Sequence, residues 1–253
     1  MEKFYLNSEF AKIGVYSEID YGLKEKMSEL FKEYLEIKNF ETENVKLDYS
    51  ICFLKNNHGI NMKEKLDSHN LFISKKQRVL YTTLNYEKDE EIIYVKRIVE
   101  SLRNRILEEK GVVFLHGACI VVDEYGIAFV GGKYSGKTTT IFNYLLKEKA
   151  KFLSNDRIGI VRQGNKTIVI GCPSNIGIRA TTINSNVILK GKITNSQKKF
   201  DNESRIALSI KELREKFGIK CVSSAELKYI FLLEHNEQEE IKIKKTFKDE
   251  FFF

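Results

Sequence analysis

The sequence predicts a mixed α/β protein, and three observations carry that expectation. Short β-rich runs alternate with stretches of helical periodicity, the β-rich runs crowd together from Gly111 onward, and one of them leads straight into a glycine-rich loop followed by a helix-forming stretch. The change of pattern at Gly111 divides the chain into a small N-terminal α/β domain, residues 1–108, and a second domain, residues 109–253.

In the first part, Tyr21 to Ile37 sets Leu23, Met27, Leu30, Phe31, Tyr34 and Leu35 three and four residues apart, which predicts one amphipathic helix. Leu47 to Leu54 and Asn70 to Ser74 read as strands, and Val79 to Leu84 as a third that pairs with one of them. Tyr94 to Glu109 reads as a second helix, with Val95, Ile98, Val99, Leu102 and Ile106 on its apolar face and basic residues on the other. No chemical constellation occurs before residue 109.

The second part begins with three β-rich runs, Val112 to Leu115, Ala118 to Val122 and Ile127 to Val130, the last two joined by the hairpin turn Asp123-Glu124-Tyr125-Gly126. His116-Gly117 falls at a strand end between the first two. A helix from Thr139 to Lys149 follows the glycine-rich loop, and a strand from Lys151 to Ser154 ends at Asn155-Asp156. Gln163-Gly164-Asn165-Lys166 marks a second hairpin between Ile158 to Arg162 and Thr167 to Ile170. Thr181 to Glu203 is polar and reads as loop, Ser209 to Phe217 as helix and Ala225 to Glu234 as a last strand, while Phe251-Phe252-Phe253 must dock on the fold or precede further sequence. No repeat of 20 to 50 residues is present.

Composition narrows the function classes. The 253 residues are 42% hydrophobic and 30% charged, as in a globular protein, and no apolar run approaches the ~18 residues of a membrane span. The N-terminus lacks the parts of a secretory signal, so a cytoplasmic protein without membrane contact is expected. The net charge of +7 comes from lysines spread along the chain, without the basic, aromatic-interleaved patch of a single-strand binder. No nucleic-acid partner is expected. Cys52, Cys119, Cys172 and Cys221 form no C-x-x-C pair, which predicts reduced packing residues rather than a zinc site or disulfides.

The chemistry gathers on Gly131-Gly132-Lys133-Tyr134-Ser135-Gly136-Lys137-Thr138, which has the G-x-x-x-x-G-K-[ST] form of a P-loop between a strand and a helix. Glycines let the loop close around phosphate, the helix start offers unpaired amides, and the Lys137 ammonium reaches the β and γ phosphates. The expected nucleotide contacts are Gly131, Gly132, Lys133, Tyr134, Ser135, Gly136, Lys137, Thr138 and Thr139, with ATP and Mg²⁺ as cofactors. Thr138 would place its hydroxyl on Mg²⁺, and Asp156 at the tip of the next strand would be the second metal residue. Read alone, His116 is a packed structural residue, Asp156 a turn residue and Arg179 a surface arginine after a strand.

Together, the run from His116 to Asp156 resembles the catalytic domain of HPr kinase/phosphorylase and its relatives, which share a nucleotide-binding fold with phosphoenolpyruvate carboxykinase. The shared order is His116-Gly117-Ala118-Cys119, a hairpin, Tyr125 to Val130, the loop Gly131 to Thr138, a helix, and Phe152 to Asp156, covering residues 111 to about 180. The resemblance implies a P-loop catalytic domain of that kind and ATP-dependent transfer of a phosphoryl group to a hydroxyl, typically a serine of a protein or ribosomally made precursor peptide. It implies catalytic roles for His116, Lys137, Asn155, Asp156 and Arg179, and a homo-oligomer is compatible with it. Where the family carries the first carboxylate of an acidic pair, its presumed general base, this chain has Asn155. An amide cannot accept the acceptor's proton, which leaves Asp156 to serve both roles or a loose transition state to proceed with little base assistance. A small-molecule acceptor, and a nucleotide-binding regulator that transfers nothing, are the alternatives.

Overall fold

A computed structural model describes residues 2–19, 22–32, 34–40, 45–56, 71–84, 89–147, 149–172, 175–193 and 205–234. It is a mixed α/β structure, with six helices among the described residues.

The first sheet is built from β1 (Glu2–Asn7), β2 (Lys12–Ser17), β3 (Glu36–Asn39), β4 (Tyr49–Phe53), β5 (Leu71–Ser74) and β6 (Val79–Thr82), in the order β3-β1-β2-β4-β6-β5. Alternate residues, Phe4 and Leu6, Ile13 and Val15, Ile51 and Phe53, are buried, as the two-residue period of a strand requires. They form one core with Leu23, Met27 and Phe31 of α1 (Leu23–Phe31) and with Val95, Ile98, Val99, Leu102 and Ile106 of α2 (Asp89–Glu109). The strand β6 pairs with β4 in parallel and with β5 antiparallel, so it meets both of the strands predicted for it. The helix expected over Tyr21 to Ile37 is shorter. It stops at Phe31, the chain turns through Tyr34, whose amide donates to the Phe31 carbonyl, and Glu36 to Asn39 becomes an edge strand on β1. Tyr34 and Leu35 keep the apolar spacing because the turn itself buries them. The helix α2 ends at Glu109, and Gly111 just beyond it has a φ of 83°, the left-handed conformation that glycine adopts without strain.

The second sheet contains β7 (Val113–Val122), β8 (Tyr125–Val130), β9 (Lys151–Ser154), β10 (Arg157–Gln163), β11 (Lys166–Ile170) and β14 (Ser224–Leu232), in the order β10-β11-β14-β8-β7-β9. A further pairing of β10 with β7 closes a ring through β7, β8, β14, β11 and β10. The turn between β7 and β8 holds Asp123 and Glu124 at φ 46° and 66°, the positive pair that a two-residue primed turn needs. Between these strands lie α3 (Lys137–Lys147), β12 (Ile176–Arg179), α4 (Ala180–Asn184), α5 (Val187–Ile193), β13 (Arg205–Leu208) and α6 (Ile210–Phe217). Ser209 and Glu212 form a reciprocal capping box at the start of α6, and Gly218 at φ 70° ends it.

Two expectations change here. The runs expected at Val112 to Leu115 and Ala118 to Val122 join in one ten-residue strand that begins at Val113, so His116-Gly117 lies inside β7 and not at a strand end. Gly117 is not a break but a close approach: a Cβ there would sit 3.0 Å from Val130 Cγ1 and 3.1 Å from the Phe129 carbonyl. The stretch expected as loop from Thr181 carries most of α4 and all of α5, with Leu189 and Ile193 buried against the core. Its remainder, residues 194–203, and the terminal phenylalanines lie outside the described residues.

Candidate phosphate-binding site

The strand β8 delivers the chain to Gly131, where Leu233 donates its amide to the Val130 carbonyl at 2.7 Å, so the segment after β14 runs beside the loop. Gly131 has φ 152°, and a Cβ on it would collide with the Leu233 carbonyl and with Ser135. Gly136 has φ 88°, and a Cβ added there or at Gly132 would face open space. The loop is therefore tight against the fold at one glycine and open at the other two, as a cradle for an anion requires. The helix α3 begins at Lys137, with the Thr140 amide donating to the Gly136 carbonyl at 2.9 Å.

Lys137 is 8% exposed. Its ammonium donates to the Gly131 carbonyl at 2.8 Å and the Gly132 carbonyl at 2.7 Å, with Ser135 Oγ at 3.5 Å. Burial pushes its pKa down from the ordinary lysine value, and the Asp156 carboxylate opposes that shift. The present acceptors are neutral, and a phosphate oxygen is a stronger, charge-assisted one. The donor set fits a polyphosphate.

Beside the loop, β9 and β10 run as one interrupted strand along β7. Ser154 pairs with Cys119 and Arg157 with His116, so Asn155-Asp156 forms the interruption opposite Gly117-Ala118. The Gly117 amide donates to the Asp156 carbonyl at 3.1 Å, and Ser154 Oγ to the Arg157 carbonyl at 2.7 Å, which fixes the interruption. Two side-chain pairs follow from it. Thr138 Oγ1 donates to Asn155 Oδ1 at 3.1 Å, and His116 Nδ1 stands 3.0 Å from the Asp156 carbonyl and 3.3 Å from Asp156 Oδ1. Because a carbonyl only accepts, Nδ1 carries the hydrogen, and in the neutral ring Nε2 is then the acceptor.

Arg179 ends β12, and its guanidinium carbon lies 4.6 Å from the centre of the Tyr134 ring at the loop tip. Lys133 Nζ lies 5.3 Å from the same ring, and Tyr134 is held at φ 71°, an uncommon conformation for a non-glycine residue. Thr139 turns its hydroxyl to Thr182 Oγ1 at 2.8 Å, and Asn143 Oδ1 accepts from Asn186 Nδ2 at 3.0 Å. Those two contacts dock α4 and α5 on α3 and set Arg179 beside the loop. Thr182 and Asn186 were missed in the sequence because they fall in a polar stretch without strong periodicity. Asn186 left one readable signal: its Oδ1 caps α5 by accepting from the Ile188 and Leu189 amides, the usual role of Asn before a helix.

The structure thus brings Asn155 against Thr138 of the loop, Asp156 against His116, and Arg179 against Tyr134 of the loop. Among the described residues no cluster of three or more His, Cys, Asp or Glu side chains is placed to hold a metal ion. Of the two residues expected to hold Mg²⁺, Thr138 stands against Asn155 Oδ1 and the Asp156 carboxylate against His116 Nδ1. No helix among the described residues is long and apolar enough to cross a membrane.

No family model matches the chain, and no curated protein matches it. Among solved structures it matches the Hpr(Ser) kinase/phosphatase from Coxiella burnetii at 15% identity and a TM-score of 0.35. The match covers 52% of this chain and 66% of that one, just under two thirds of the other protein's length. At that distance the function has to be read from this chain's own residues.

Proposed function

We propose that the protein is an ATP-dependent phosphotransferase of the HPr kinase-like type, and that its acceptor is a hydroxyl, most naturally a serine of a protein or peptide. The observation that carries this reading is the interruption at Asn155-Asp156, which aims one side chain at the phosphate loop and the next at His116. Lys137 and the loop amides hold the phosphates, and Arg179 at the loop tip balances charge on the group in transfer. Thr138 gives its hydrogen to Asn155, which leaves its oxygen lone pairs for Mg²⁺. That ion, when bound, neutralises charge on the phosphate oxygens.

Asn155 is then a positioning residue for Thr138, and the base role passes to His116. The acceptor O–H gives its proton to His116 Nε2 as the acceptor oxygen bonds to the γ-phosphorus and the bond to the β-phosphate oxygen breaks, releasing ADP. Asp156 holds the ring in the Nδ1–H form through its backbone carbonyl and stabilises the imidazolium through its carboxylate. The N-terminal domain, residues 1–108, serves acceptor recognition in this reading.

The test is transfer of label from γ-labelled ATP to serine-containing peptides by the unaltered protein and by Lys137→Ala. Label that appears with the first and is lost with the second supports the reading, and label that persists in Lys137→Ala refutes it. A second reading, a nucleotide-binding regulator, draws on the amide at position 155. Tight binding of MgATP with no label passed to any acceptor is the result that favours it.

A further inference from the structure

We propose that the cavity between α2 and the Asn155-Asp156 interruption is the seat of an anionic group of the acceptor, a carboxylate close to the hydroxyl that is phosphorylated, with Arg103 as its cationic anchor. The proposal rests on the phosphotransferase reading and adds the substrate's chemistry to it.

The cavity has a volume of about 170 Å³ and is walled by Arg103, Asn104 and Glu100 of α2, by Asp156 and Arg157 of the interruption, and by Cys172. Drug-sized ligands occupy roughly 300 to 1,000 Å³, so this space takes the end of a molecule and a few waters, not a nucleotide. Arg103 is 2% exposed. Its Nη2 donates to the Gly171 carbonyl at 3.0 Å and its guanidinium lies 5.5 Å from the Tyr34 ring centre, but Nε finds no hydrogen-bond partner among the described residues. Arg103 thus brings a buried guanidinium to the cavity wall, a charge that an anion seated in the cavity stabilises.

The neighbouring carboxylates each have another contact. Glu100 accepts from the Tyr34 hydroxyl at 2.8 Å and faces Lys96 Nζ at 3.8 Å. Asp156 faces His116, and burial pushes the Cys172 thiol up, which keeps it neutral. Arg157, the second cation of the wall, is held by Glu108 at 3.1 Å. Among the described residues no carboxylate hydrogen-bonds to Arg103. Because Asp156 belongs to both this wall and the phosphotransfer site, a carboxylate on Arg103 places a nearby hydroxyl at the His116-Asp156 pair. An α2 from the N-terminal sheet thereby helps select the acceptor.

The experiment uses acetylated tetrapeptides with one serine and one aspartate at varied spacing, alongside twins with asparagine for aspartate. Binding to the full chain is read by calorimetry without ATP, and label transfer is read separately. At least one aspartate peptide is expected to bind tenfold or more tighter than its twin, and Arg103→Gln to bring that ratio within twofold while leaving MgATP affinity unchanged. Should Arg103→Gln fail to fold, Asn104→Asp, which sets a carboxylate in the same wall, is expected to abolish the preference. Equal binding of the twins, binding of neither, or a preference that survives these variants overturns the proposal, while Lys137-dependent transfer to other serine peptides would leave the phosphotransferase reading standing. A preference that depends on Arg103 without any label transfer upholds the anion seat and counts against phosphotransfer.

Discussion

Lys137 shows how a single side chain sets a measurable property of the site. In the proposed role its protonated form holds phosphate, and burial lowers its pKa, so it loses its proton at a lower pH than an ordinary lysine at ~10.4. Affinity for MgATP is expected to fall as pH rises, beginning below that value, whereas the residual affinity of Lys137→Ala stays flat; a parallel fall in both would disprove the link. His116 makes a second residue-scale case. Replacing it with Gln keeps a donor for the Asp156 carbonyl but removes the basic Nε2, and kcat is expected to drop by about 10² to 10⁴ with MgATP affinity unchanged. A kcat within a few-fold of the original would remove His116 from the base role. The residue types of this site were legible in the sequence because loop glycines, a lysine and a threonine at fixed spacing have few other uses. Arg103 was not, since helical periodicity counts a cation as solvent-facing, and only its place four residues after Val99 and beside Leu102 hinted that it borders the buried face.

At the scale of elements, what could be read was the local pattern, and what could not was the pairing. The hairpins at Asp123-Glu124 and Gly164, the helix capped by Ser209 and the strand after the loop helix all follow from turn chemistry and period. The insertion of β14 between β8 and β11, and the shift of β7 from β10 to β9 along its length, depend on contacts far apart in sequence that no local period reports. For the same reason His116-Gly117 read as a gap between strands: a glycine looks alike at a break and at a close approach. Gly171 is another close approach, where a Cβ would collide with the side chain and carbonyl of Leu153. Gly171→Ala is expected to destabilise by about 1–3 kcal/mol in denaturant unfolding, and a neutral result would mean that β9 can yield there. At the β7–β8 turn, where two non-glycine residues hold positive φ, replacing Asp123-Glu124 by Asn-Gly is expected to stabilise by roughly 0.5–1 kcal/mol. A lower unfolding midpoint would contradict that.

Across the whole molecule, the two sheets meet where α2 faces the interruption in β9–β10, and contacts from distant parts of the sequence cross that junction. Arg103 reaches the Gly171 carbonyl, and Ser224 Oγ the Glu9 carboxylate at 3.1 Å. The glycine-rich loop leaves the second sheet, while part of the wall around Asp156 comes from the helix packed on the first, so the proposed nucleotide and acceptor sites converge on that junction. All of this stands on the loop from Gly131 to Thr138 holding a nucleoside triphosphate. The most direct test is the equilibrium affinity for MgATP, measured by calorimetry on the full chain and on Lys137→Ala, with the fold of each checked by its unfolding transition. Saturable binding that weakens about a hundredfold or more in the folded variant is the expected result. No binding by the unaltered protein, or equal affinity in both, would contradict the assignment.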